Sequence, residues 1–176
     1  MFQPRFPHHR FPARSSHRGL ASLVLALALA VGASLFLKPN ERMLDGRAYA
    51  VDGDTIRLRD TRIRLKGIDA PELDQTCLKA GQSYPCGEQA RNALIAIILK
   101  QQVECRLSGR DRYKRPLAHC AVGGKDIGAR MVEEGWAVAY GGYAGEEALA
   151  RRRSAGLWAG TFEYPRDWRR KHVPAN

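Results

Sequence analysis

The sequence predicts an α+β, mainly β fold: one domain of five strands and about three helices, preceded by an N-terminal apolar helix. Three observations carry this. Residues 56–66 alternate strictly, with Ile56, Leu58, Ile63 and Leu65 on one side and Arg57, Arg59, Arg62, Arg64 and Lys66 on the other. Period two is the pattern of a half-buried strand pair. Gly87 to Lys100 instead spaces Ala90, Ala93, Leu94, Ile97 and Ile98 three and four apart, the apolar stripe of a helix. Leu20 to Leu37 carries no charge; as a helix it spans ~27 Å, about a bilayer core.

Residues 1–19 are rich in Arg, His and Pro and are expected to form a basic, disordered cytoplasmic segment. Arg5, Arg10, Arg14 and Arg18 precede the apolar run and hold that end on the cytoplasmic side. Residues 20–37 then form a transmembrane signal-anchor, with the domain outside the cytoplasm, on the periplasmic or extracellular side. A cleaved signal peptide and a secreted protein are the alternative, with small-residue patterns at Ala28-Leu29-Ala30 and Val31-Gly32-Ala33. The anchor is preferred because the apolar run continues past both.

Residues 38–45 are a polar linker, and the domain is expected over 46–160. Gly46 to Val51 forms a first strand, and the alternating run supplies two more around a turn near Asp60-Thr61. A loop over 74–87 leads to the helix at 87–100. Gln102 to Leu107 and Leu117 to Val122 are strands joined by a polar, basic loop. Lys125 to Glu134 is a short helix closed by Gly135. Apolar Trp136 to Tyr140 follows, then a helix over Gly145 to Ala155 whose final arginines, Arg151 to Arg153, suit the helix dipole. Residues 161–176 form a basic tail. Trp158, Tyr164 and Trp168 are expected to pack against the domain; stacking on bases is the alternative.

Four cysteines, at 77, 86, 105 and 120, form an even set in a chain expected outside the cytoplasm, which suggests disulfides. Three pairings satisfy the count. Cys77–Cys86 closes the 74–87 loop and Cys105–Cys120 links the two strands around the basic loop, so these are preferred. No Cys-x-x-Cys pair supports zinc.

The formal net charge is +11, and the first 37 residues contribute only four arginines to it. A domain this basic attracts polyanions, nucleic acid above all, with an acidic membrane surface as the alternative. The hairpin gathers chemistry at one end. Asp52 and Asp54 precede its first strand; Asp69 and Glu72 follow its second. Carboxylates so close repel unless a cation or proton lies between them. An oxygen-only set favours a hard cation, and arginines beside it suit a phosphate. The plainer alternative is two solvated acidic turns. After the apolar run only His119 and His172 remain, which argues against histidine-based hydrolysis, and no phosphate-binding Gly-x-x-x-x-Gly-Lys loop is present.

Asp52-Gly53-Asp54-Thr55, then Ile63-Arg64-Leu65-Lys66-Gly67-Ile68-Asp69-Ala70-Pro71-Glu72, resembles the staphylococcal-nuclease-like (thermonuclease) family. Asp111-Arg112-Tyr113-Lys114-Arg115-Pro116-Leu117-Ala118 is similar to that family's second arginine loop. The resemblance runs from about Gly46 to Trp158. It implies a five-stranded OB barrel and a Ca²⁺-dependent nuclease acting on DNA and RNA with little sequence preference. By the same resemblance, Asp54, Asp69 and the Ala70 carbonyl are the metal ligands, with Asp52 close by. Glu72 accepts a proton from the attacking water, and Arg64 and Arg115 grip the phosphate. Tyr113 and Tyr140 match a nucleotide pocket, whereas Tyr143, after Gly141-Gly142, falls out of the family's register. DNA and RNA are the implied partners, with the membrane through the N-terminal helix; no protein partner is inferred. The alternatives are an OB module that binds nucleic acid without turnover, and a membrane-tethered domain that meets acidic partners.

Overall fold

The computed structural model describes residues 22–29 and 42–172, in two units divided between Asn40 and Glu41. In the first unit, residues 22–29 are helical (α1) and exposed. Among the described residues no helix is long and apolar enough to cross a membrane. Most of the expected span, 20–37, and all of 1–19 lie outside the described residues.

The second unit is built on a curled sheet. Its strands are β1 (Met43–Gly46), β2 (Ala48–Ala50), β3 (Thr55–Leu58), β4 (Thr61–Leu65), β8 (Val103–Arg110) and β9 (Pro116–Val122), in the order β1-β8-β9-β4-β3-β2, with β10 (Lys125–Asp126) paired to β9. The two edge strands are consecutive in the chain and separated by Arg47 alone. One bent segment thus supplies both edges, and counting it once leaves five strands, consistent with the expected barrel. Short β5 (Ile68–Asp69) pairs with β11 (Val138–Ala139), and β6 (Cys77–Lys79) pairs with β7 (Gln82–Tyr84).

The alternation does what period two requires. Ile56, Leu58, Ile63 and Leu65 are at most 1% exposed, while Arg57, Arg59 and Arg62 face solvent. Helix α2 (Cys86–Ile98) lays Ala90, Leu94, Ile97 and Ile98 onto this core. Helix α3 (Ile127–Glu133) is capped by the Asp126 carboxylate, which accepts the Ala129 N–H at 2.8 Å. Helices α4 (Ala144–Arg152) and α5 (Pro165–His172) follow.

Several expectations change. The linker expected over 38–45 ends in strand β1, which runs on to Gly46, because Leu44 finds a register partner in Cys105. The 74–87 loop holds the β6–β7 hairpin, whose Cys77 is buried although Leu78 and Lys79 are not. The basic tail is helical over Pro165–His172, so this unit has four α-helices rather than three. Trp158, Phe162 and Tyr164 pack on one another with centroids 4.9–6.4 Å apart, and the Arg151 guanidinium lies 4.0 Å from the Trp158 ring centroid. Trp168 instead stacks on His172.

Both expected disulfides are formed, Cys77–Cys86 and Cys105–Cys120. The second joins residues directly opposite each other on β8 and β9. In the chain-entropy model each crosslink is worth about 3 kcal/mol.

Candidate active site

The β3–β4 pairing brings the ends of the hairpin together, as its alternation implies. Thr55 pairs with Arg64 across the ladder, which sets the Arg64 guanidinium beside Asp54. Arg64 Nη1 donates to Asp54 Oδ1 at 2.9 Å, and Nη2 donates to Asp69 Oδ1 at 2.6 Å and lies 2.8 Å from Asp54 Oδ2. Asp54 and Asp69 are 4% and 3% exposed, so both charges are held in a poorly hydrated place. Asp54 also accepts the Thr55 hydroxyl at 3.0 Å and the Ala70 N–H at 3.2 Å. Asp52 turns back on its own loop, where Oδ1 accepts the Asp54 N–H at 3.0 Å.

Close backbone approach makes this cluster possible. A Cβ on Gly53 would stand 2.7 Å from Ala70 Cβ and 2.9 Å from Ala90 Cβ, so only glycine lets the Asp52–Asp54 turn lie against Ala70 and α2. A Cβ on Gly87 would overlap the Glu72 carbonyl oxygen. The first turn of α2 is thus the seat of the Glu72 segment. Fully buried Gln75 completes it, accepting the Glu72 N–H at 3.3 Å and donating to the Glu163 carbonyl at 2.7 Å.

A residue that the sequence reading left in the tail enters here. From α5, Arg169 Nη1 donates to Glu72 Oε1 at 2.8 Å and Nη2 donates to Asp69 Oδ2 at 2.9 Å. No motif marks it; the signal was one arginine among several in a basic stretch.

Arg115 stands at the mouth of β9, two residues before Leu117, the register partner of Arg64. Its guanidinium turns to its own loop rather than to the acidic cluster: Nε donates to Asp111 Oδ2 at 2.7 Å, and the group lies over the Tyr113 ring. Burial raises the Asp111 carboxyl, but the Arg115 guanidinium and the N–H groups of Arg115 and Tyr113 hold it below the ordinary carboxylate range. Tyr113 and Tyr140 are both exposed on separate elements. The Tyr140 N–H bonds to the Gly67 carbonyl at 2.8 Å, placing Tyr140 beside an open depression of about 540 Å³ shared with Lys66, His119 and Tyr143. Tyr143 is held by Asp126 Oδ1 at 3.0 Å and His119 Nδ1 at 3.1 Å.

Burial pushes the Asp54 carboxyl from 3.8 up to about 7; Arg64 pulls it down, Asp52 and Asp69 add to the rise, and the Ala70 N–H opposes it. Between these values the folded domain keeps a proton that the unfolded chain has released. Stability from this group is therefore full below about pH 4 and is lost as pH rises toward about 7. Denaturant titrations across that window should show this fall, and Asp54→Asn should flatten it. An unchanged slope in the variant would contradict the assignment.

The donor chemistry fits a hard cation. Asp54, Asp69 and Glu72 offer only oxygen, and the two buried aspartates need a balancing charge. In this structure Arg64 and Arg169 supply it, and among the described residues no three His, Cys, Asp or Glu side chains are gathered as a ligand set.

Fold and site together define a class: a small α+β domain whose curled sheet carries a buried carboxylate–guanidinium cluster at one end. The family model of the staphylococcal nuclease homologues matches residues 62–160, a range that starts after the Asp52–Asp54 turn. The chain is 32% identical over 168 residues to the succinoglycan biosynthesis protein ExoI of Rhizobium meliloti, covering 91% of this chain and 85% of that protein. It is 30% identical over 132 residues to an uncharacterized endonuclease of Haemophilus influenzae, covering 68% and 69%. A probable staphylococcal-like nuclease of rice, CAN4, is 34% identical over 131 residues; 70% of this chain is matched, but only 25% of the rice protein. The chain belongs to the staphylococcal nuclease homologue family.

Proposed function

We propose that this protein is a Ca²⁺-dependent nuclease that hydrolyses phosphodiester bonds of DNA and RNA. The observation that carries the reading is the convergence of Asp54, Asp69 and Arg64, with Glu72 joined to the same cluster through Arg169. Family membership and relatives named nuclease or endonuclease support it. Asp54 and Asp69 would hold the ion, with the Ala70 carbonyl as the implied third ligand and Asp52 behind them. When bound, Ca²⁺ supplies Lewis acidity toward a phosphate oxygen. Glu72, the most exposed of the three bonded acids, takes the proton of the attacking water at its carboxylate. Arg64 and Arg115 donate to the phosphate as charge develops on it; this requires Arg115 to exchange Asp111, and Arg64 to exchange Asp54 and Asp69, for substrate. Tyr140 is the better placed of the two tyrosines to meet a base.

The OB module that binds without turnover is the second reading, and the buried aspartate pair weighs against it, since binding alone needs no converging carboxylates. Two disulfides support an oxidising compartment, in line with export through the segment 20–37. The test is digestion of plasmid DNA and RNA by the full-length chain. Activity should vanish with a calcium chelator and return with Ca²⁺; full activity in excess chelator would sink the reading.

A further inference from the structure

Arg169 lies 97 residues from Glu72 and 100 from Asp69 in sequence, yet its two terminal nitrogens bond to both carboxylates. Its side chain is 27% exposed. The contact is built, because the chain before α5 is fastened to the domain at two points. Leu78 and Thr161 exchange backbone hydrogen bonds at 2.9 Å, and Gln75 donates to the Glu163 carbonyl; Lys171 of α5 in turn pairs with the Glu163 carboxylate at 2.6 Å. Asp69 therefore has one oxygen on Arg64 and the other on Arg169, and the same Arg169 holds Glu72 Oε1.

We propose that Arg169 is an internal competitor for the divalent cation, and that the site loads only when this guanidinium leaves Asp69 and Glu72. The proposal rests on the cation reading given above. Arginine keeps its charge at every relevant pH and forms forked bonds to carboxylate oxygens. It occupies an oxygen that the ion needs and repels the ion across a few ångströms. It also holds Glu72 Oε1, and its positive charge beside that carboxylate disfavours uptake of a proton there, so the closed form is poorly suited to both tasks. The apparent affinity for the ion is then the intrinsic affinity reduced by the fraction of molecules in which Arg169 has let go. Low cation levels leave the site shut by the protein's own C-terminal helix.

Calorimetric titration of the full-length chain with Ca²⁺ alone, without substrate, tests this. Arg169→Gln should bind Ca²⁺ about tenfold or more tightly than wild type. Arg170→Gln removes the same charge one residue away, where the side chain pairs with Asp167, and should bind as wild type does. Arg169→Lys should fall between, since an ammonium is a point charge and does not reproduce the fork. It also carries the test if the glutamine variant fails to fold. Equal or weaker binding by folded Arg169→Gln, or equal tightening by Arg170→Gln, overturns the proposal and leaves the cation reading standing. Absence of Ca²⁺ binding in wild type and variants alike overturns the cation reading, and the proposal with it.

Discussion

Replacing Arg64 with alanine is expected to cost about 3–5 kcal/mol of stability above pH 7, where Asp54 is ionised, because it strands two buried carboxylates that now share one guanidinium. Asp54 and Asp69 are nearly inaccessible to water, so solvent does not take over. Arg169 covers one oxygen of Asp69 and leaves Asp54 unpaired. The loss should shrink in acid, where Asp54 takes up a proton and no longer needs a partner. It should also shrink with Ca²⁺, which restores the missing positive charge. Denaturant unfolding at alkaline pH, in acid and with added Ca²⁺ reads all three. Stability equal to wild type at alkaline pH would show that Arg64 is not the charge that holds the pair. The same variant should lose on the order of 10²–10³-fold in cleavage rate, as a donor to developing phosphate charge is removed.

Glu72→Gln should behave in the opposite way: nearly wild-type stability and a rate lower by roughly 10²–10⁴-fold. The amide keeps the shape of the side chain and loses the proton acceptor. Glu72 is partly exposed, so its pairing with Arg169 contributes little to stability. Losing a negative charge does not weaken attraction to a polyanion, so affinity for nucleic acid should hold or rise slightly. Single-turnover cleavage with Ca²⁺, beside binding with an ion that does not support cleavage, separates the two effects. Cleavage at the wild-type rate would remove Glu72 from the role of base.

What was legible in the sequence was local or periodic. Alternation from Ile56 to Leu65 fixed which residues are inside and brought the hairpin ends together, so Asp54, Arg64 and Asp69 meet as the pattern implies. The stripe of α2 and both disulfide pairings were readable for the same reason. The β6–β7 hairpin was not, because its outward residues lack an apolar alternation and its order comes from the disulfide and the Leu78–Thr161 bridge. Strand β1 was hidden in a polar stretch, since its pairing depends on a partner far along the chain. The need for glycine at 53 and 87 was not readable, since it arises from contacts with Ala70, Ala90 and Glu72 that exist only after folding. Arg169 was the largest omission. A cation in a basic tail carries no spacing that points to carboxylates so far upstream, and only the path of the C-terminal segment over Gln75 and Leu78 places it.

The single bent segment that forms both sheet edges sets an order of events in folding. Strand β2 finds its partner β3 only a few residues on, so that corner is local and quick to form. Strand β1 must wait for β8, whose Val103–Arg106 supplies its register after the hairpin, the acidic loops and α2 have been made. Contacts of such long sequence separation carry the loop-closure cost and form late. The first strand of the domain to leave the ribosome is therefore expected to dock late. Until it does, the outer edge of β8 stays open for mispairing with another chain, at a stage when the Cys105–Cys120 crosslink has only β9 to hold in register.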